Sequence, residues 1–348
     1  MVWYFLRLKF RPSSFMAKLQ RVDWIGTFLF IGSLTSFLIP VTWGGVMYPW
    51  DSWRTLTPLL IGVVGLAGFT AFEIYVAPEP LIRLSIFQTT TAKVAYFQTV
   101  IHGLCLWCGL YYQPLYFEAV KGYTPILSGV ALFPMTFTVA PTAVVVGFLI
   151  TKTGKYRWAI TAGWALTTLG LGLLILFDAK TKTVSWIFIM LVAGFGLGML
   201  FPSMAFAVQA ASTNADLAFA VAMFSFFRAF GQSIGVAIGG VTFQNEMKKK
   251  LMKYPALAPM ASTYAKDAAG LVQIIKSMAD GPDKENLKTA YADSLKPVWL
   301  LICVLSGVAL ATSVLIKAYD LDRALETEQG FKHVRTRDEE KEGVKTEQ

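Results

Sequence analysis

The chain has 348 residues, 55% hydrophobic and only 15% charged, with a mean hydropathy of +0.53, whereas a soluble domain carries about 25% charged residues. Its apolar residues are gathered into long runs, which excludes a soluble globular protein and predicts an all-α integral membrane fold. The net charge of +9 is no nucleic-acid footprint, because the basic residues lie at the termini and between apolar runs, with no basic stripe of interleaved stacking aromatics.

In chain order, residues 1–22 read as a cytosolic segment carrying Arg7, Lys9, Arg11, Lys18 and Arg21. Residues 23–93 hold two predicted helices, Trp24–Trp43 and Thr57–Val76, and a cytosolic loop. Residues 94–243 hold five more: Val94–Tyr116, Ile126–Ile150, Trp158–Phe177, Val184–Ala205 and Leu217–Phe243. Each reaches about 20 residues, enough to cross a hydrocarbon layer about 30 Å thick. Residues 244–297 read as a long extracytosolic loop with an amphipathic patch at 271–279, suited to a short helix on the membrane surface. The eighth helix is predicted at Val298–Ile316, and residues 317–348, charged and nearly devoid of apolar side chains, as a disordered cytosolic tail. With the amino terminus in the cytosol, the short inside segments hold ten Lys and Arg and the short outside loops four. That bias places both termini in the cytosol.

Polar residues inside apolar runs are the functional candidates, since they usually face protein or water rather than lipid. The stretch SFFRAFGQSIGVAIGG (225–240) carries Arg228 and four glycines, Gly231, Gly235, Gly239 and Gly240. At 100° per residue, Gly231, Gly235 and Gly239 fall with Arg228 in a sector of about 80°, with Gln232 beside them. A glycine stripe lets a neighbouring helix approach closely, so Arg228 is expected to point into the bundle. There it is tied to carbonyls of a neighbouring helix or lies in a substrate or ion path, unless it snorkels to the membrane edge.

His102 is the one intramembrane histidine, suited to proton coupling or to a satisfied buried role. With Gln98, Tyr112, Gln113 and Tyr116 it offers a polar lining to a cavity. Glu73 is a candidate proton carrier, or a salt-bridged or snorkelling residue near the cytosolic end of its helix. Pro114, Pro134, Pro141 and Pro202 are expected to kink helices. CLWC (105–108) has redox-like spacing without a redox-fold context. With only His102 and His333 in the chain, no metal site, no cofactor site and no catalytic set is expected. An integral-membrane enzyme is therefore set aside.

The turn GFLITKTGKYR (147–157) resembles the cytoplasmic loop signature of the major facilitator superfamily, G-x-L-x-D-R-x-G-R-[KR]. It matches at Gly147, Leu149 and Gly154, with Lys152 and Lys155 for arginines, Thr151 for aspartate, and Arg157 following. Gly231 to Gly240 is similar to that superfamily's antiporter motif G-x-x-x-G-P-x-x-G-G, with Val236 in place of proline. RVDWIGTFLF (21–30), YYQPLYFEAVKGYTPILSGVALFP (111–134) and FGLGMLFPSM (195–204) resemble its fourteen-helix drug:proton antiporter branch.

The resemblance covers about residues 21–320. It implies two linker helices followed by the whole C-terminal six-helix half, with the N-terminal six helices absent. It also implies proton-coupled efflux of small organic compounds, drugs or toxins, without cofactor, at the plasma membrane or the vacuolar membrane. The expected partners are the lipid bilayer, a small organic substrate, protons, and a missing N-terminal half or a partner membrane protein. A non-transporting fragment that regulates another membrane protein, or a facilitator for siderophores or amino acids, are the alternatives.

Overall fold

The computed structural model describes residue 16, residues 23–45, 47–78 and 80–321. The expected cytosolic segment 1–22, save residue 16, and the tail beyond residue 321 lie outside the described residues. Eight helices are long and apolar enough to cross a membrane, and no β-strand occurs among the described residues. We label them α1 (Trp24–Trp43), α2 (Trp53–Tyr75), α3 (Thr90–Ala119), α4 (Phe133–Thr153), α5 (Arg157–Leu173), α6 (Thr183–Ala210), α7 (Leu217–Leu251) and α8 (Pro282–Thr312).

The α3 helix is the most buried of the eight and packs on α6, α7 and α8. Around it, α4 lies on α6, α6 on α5, and α5 on α8, so that six helices share one core. The α1–α2 pair stands apart as an antiparallel hairpin whose main contact is with α7. Phe30 of α1 meets Phe226 of α7 with ring centroids 5.2 Å apart.

Loops at one end are tied together. Arg83 lies 3.4 Å from Asp216, the Lys317 N–H donates to Thr91 Oγ1 at 2.9 Å, and the Tyr156 hydroxyl donates to the Lys317 carbonyl at 2.8 Å. The segments after α2, α4, α6 and α8 therefore meet at one end, as an up-and-down bundle requires.

Three expectations about elements need correction. The predicted helix Ile126–Ile150 is broken: a short helix, Pro125–Ala131, ends at Leu132, and α4 begins at Phe133. Pro134 has no N–H to offer the preceding turn, so the helix restarts there. The 244–297 segment is largely helical rather than a loop. α7 continues to Leu251, and α8 starts at Pro282 with Asp283 and Glu285 in its first turn, where the helix dipole favours acids. The patch expected to lie on lipid is the helix Ala268–Ser277, capped by the Asp267 carboxylate. Its Leu271, Val272 and Ile275 are buried in the core, and its Lys276 lies 3.0 Å from Glu118 of α3. The apolar face is thus spent on the bundle end.

The tail expected to be disordered from residue 317 is ordered as far as Leu321. The Tyr319 N–H donates to Tyr156 Oη at 3.0 Å, and Tyr319 and Leu321 pack on the core.

Candidate functional site

The glycines of α7 form a seam against α3. A Cβ added to Gly231 would strike the Val100 carbonyl, one on Gly235 the Leu104 carbonyl, and one on Gly239 the Tyr112 ring and Cys108 Sγ. Gly103 supplies the reverse contact, facing the Arg228 carbonyl. Two helix backbones touching at three points, with Gly239 set against side chains at a fourth, leave no room for slack, and this holds α7 in one rotation. Gly240 sits nearer the rim, where an added Cβ would lie 3.0 Å from Tyr112 Oη.

That rotation aims Arg228 at α6. Its guanidinium lies over the Phe201 ring, 4.4 Å from the centroid, a cation–π contact. Phe201 in turn meets Phe224 at 5.8 Å. Arg228 Nε is buried without a hydrogen-bond partner. The ion pairs seen among the described residues involve Arg83 and lysines, never Arg228. No hydrogen bond from Arg228 to a carbonyl of a neighbouring helix is seen among the described residues either, so the tether left open by the sequence is not made there. Gln232, one turn on, is half-buried on the adjoining flank.

The α3 candidates behave differently. Gln98, His102, Tyr112, Gln113 and Tyr116 are all 0–2% exposed. Gln98 Nε2 donates to the Ala309 carbonyl at 2.9 Å, with Thr312 Oγ1 and Ser313 Oγ also in reach, which ties α3 to the end of α8. His102 Nε2 lies 3.1 Å from the Leu197 carbonyl of α6. A carbonyl accepts only, so Nε2 carries the proton and Nδ1 is left buried without a partner. The Tyr112 and Tyr116 hydroxyls donate to the Val236 and Asp178 carbonyls at 3.1 and 2.7 Å. Gln113 reaches only Met135 Sδ at 3.5 Å, and its Oε1 has no partner. In this conformation these five side chains join helices to one another and do not line an open cavity.

Glu73 lies away from this group. It is buried at the foot of α2, and its Oε2 accepts the Ile82 N–H at 3.0 Å, pinning the loop to α3. Gly154 takes φ +67° and closes α4, with its N–H on the Ile150 carbonyl. Gly147 lies within α4, where an added Cβ would meet Pro202 at 3.7 Å. Lys152, Lys155 and Arg157 stand exposed around the turn, and Thr151 bonds back to the Gly147 carbonyl.

At the opposite end, Lys121 donates to the Ala179 and Thr181 carbonyls at 2.9 and 2.7 Å. Burial pulls the Lys121 ammonium below its usual range, against the attraction of Asp178. Among the described residues no group of three or more His, Cys, Asp or Glu is placed to hold a metal.

An alternating helical bundle with a basic, glycine-capped turn between α4 and α5, a glycine seam and an arginine within an apolar span belongs to the class of major facilitator transporters. The profile of the fungal trichothecene efflux pump (TRI12) family matches residues 1–274, and the chain belongs to that family. It is 57% identical over 343 residues to an MFS transporter of Phoma sp., covering 98% of this chain and 57% of the relative. It is 35% identical to the efflux pump FUS6 of Gibberella fujikuroi, covering 94% and 60%. It is 34% identical to the acurin A biosynthesis cluster MFS-type transporter of Aspergillus aculeatus, covering 92% and 58%. The chain thus spans about three-fifths of the length of these relatives.

Proposed function

We propose that this chain forms one wall of a proton-coupled efflux transporter for small organic compounds, of the fourteen-helix antiporter branch. In this reading α3 to α8 are the C-terminal half and α1–α2 the linker pair. The observation that carries it is Arg228, an arginine within an apolar span of a transporter-family chain, half-exposed and without an anionic partner among the described residues. Such a charge is costly in lipid and is kept where it meets substrate or water. The opposite cavity wall is assigned to a further helical half, in the same polypeptide or in a partner protein. The exposed Lys152, Lys155 and Arg157 support placing the turn and both termini on the cytosolic side of the plasma membrane.

Reconstituting the chain in liposomes, alone and with the N-terminal half of a relative, tests this. Efflux of a fluorescent dye should follow an imposed pH gradient, stop when an ionophore collapses it, and fall at least about tenfold in Arg228→Ala. Flux indifferent to the gradient, or absent from both preparations, overturns it. Because the chain covers only about three-fifths of its relatives, a second reading is a non-transporting partner of another membrane protein. An intact transporter that copurifies with the chain and works equally well without it would favour that reading.

A further inference from the structure

We infer that Arg228 is the anchor of an anion-selective substrate site, and that the compounds this transporter carries best are organic anions, carboxylates or stabilised enolates, on a flat apolar body. The inference rests on the transport reading above and narrows its substrate class.

Three features converge. The guanidinium presents one face to the Phe201 ring, which leaves its edge, the fork of N–H groups, for another partner. Buried Nε makes no hydrogen bond, and no carboxylate among the described residues pairs with the group. A planar fork lying on an aromatic ring is built for two parallel bonds to a carboxylate-like pair of oxygens. Lysine, a point charge, would not select that shape.

The second feature is the floor. Phe201, 37% exposed, and Phe224 beneath it form a ring pair beside the guanidinium, matching a flat apolar body. The third is Gln232, half-buried one helical turn from Arg228 with no side-chain hydrogen bond among the described residues. It offers a donor and an acceptor to a ligand oxygen or hydroxyl. The site is also rigid, because the Arg228 carbonyl abuts Gly103 and Gly231 abuts Val100.

The physical consequence is charge balance. An unpaired guanidinium resists enclosure in a low-dielectric site, while a guanidinium paired with a substrate anion is neutral and costs far less to enclose. An anion is therefore favoured over its neutral analogue by the same contact that lets the loaded site close.

The test is binding of naphthoate and its methyl ester to the full chain in detergent micelles at neutral pH, where the acid is ionised. The two differ in charge and hardly in shape. Naphthoate should bind at least about tenfold tighter, the scale of a charge-assisted bond. Arg228→Gln should erase that preference while leaving ester affinity within about twofold, and Gln232→Ala should cost a few-fold for the acid. Equal affinity for the two, preference for the ester, binding of neither, or a preference surviving in Arg228→Gln overturns the inference. Should Arg228→Gln fail to fold, the wild-type comparison decides by itself, with Arg228→Lys expected to keep attraction but lose most of the preference. Gradient-driven dye efflux separates the two claims. Efflux without acid preference sinks the anion site alone, and acid preference without efflux sinks the transport reading alone.

Discussion

Replacing Gly231 with alanine puts the α3–α7 seam under direct strain. In an unconstrained helix the change stabilises by about 0.5–1 kcal/mol, because glycine loses more backbone freedom on folding. Here the new methyl would stand 2.8 Å from the Val100 carbonyl carbon and 3.0 Å from its Cα, where ordinary contact is 3.4–4 Å. The obstacle is backbone, not the end of a flexible side chain, and it belongs to the most buried helix. The Val100 carbonyl oxygen is nearer still, so α7 must retreat by about an ångström or more, loosening Gly235 on Leu104 and Gly239 on Tyr112 as well. Overpacking of this kind costs about 1–3 kcal/mol, more than the propensity gain, so the net loss should be about 1–2 kcal/mol.

The matched control is Gly32→Ala in α1 or Gly68→Ala in α2, where nothing lies within 4 Å of the new Cβ. There only the propensity term acts, and stability should hold or rise by up to about 1 kcal/mol. Apparent melting temperatures of the full chain in one detergent, at one heating rate, give the comparison, since unfolding of such proteins is often irreversible. Gly231→Ala should melt several degrees lower than wild type and the controls no lower. A Gly231→Ala shift of the same sign and size as Gly32→Ala would refute the close approach of α3 and α7.

Gln98→Leu should lower stability by about 1–2 kcal/mol through loss of the α3–α8 bond, and Gln98→Glu by more, since it sets a carboxylate against the Ala309 carbonyl; detergent melts rank them. Gly154→Ala should cost about 1 kcal/mol because φ +67° is strained for alanine, and Gly154→Asn less; the same melts apply. Burial acts to raise the Asp178 carboxyl, but hydrogen bonds from Thr181 and the Lys180 N–H, with the Lys296 charge, outweigh it and hold the group below its ordinary value. A depressed carboxylate contributes stability at pH above its unfolded value and loses it as pH falls through the folded one. Wild type should therefore lose stability on acidification through and below the usual carboxylate range, while Asp178→Asn shows a flatter profile.

The eight spans were legible because a bilayer imposes its length on the sequence: each predicted run overlaps one of the eight membrane-length helices, although the fourth is broken at Leu132 and several ends are off by a residue or more. What escaped was decided by packing at the ends. α7 and α8 outrun the hydrocarbon because Met247, Leu251, Leu287 and Tyr291 find each other's company and that of the Ala268–Ser277 helix, all of them buried. Hydropathy of a single segment cannot register a polar stretch stabilised by a partner about 40 residues away. The glycine stripe of α7 stood out because its four-residue spacing lines one face. The two-residue spacing of Gly194, Gly196 and Gly198 did not, and the structure gives the reason: Gly194 and Gly198 face Met135 and Val139 of α4, whereas Gly196 faces Thr167 of α5. One helix thus lies close to two neighbours, a pattern with no single-face signature.

Burial also divides the polar candidates in a way spacing alone could not. Lipid gives helices no hydrophobic reason to associate, so close backbone approach and interhelical hydrogen bonds must hold the bundle. Gln98, His102, Tyr112 and Tyr116 are occupied in that work, each bonded to a carbonyl of another segment. A ligand that took them would have to break helix contacts first. Arg228 is different in kind: its backbone is locked in the seam, while its charged edge has no hydrogen-bond or ion-pair partner among the described residues. A group whose position is enforced and whose bonding capacity is unspent is the one a ligand can reach without dismantling the fold. Arg228 and Gln232, rather than the more numerous polar residues of α3, are therefore where substitution should change what is transported and leave the bundle standing.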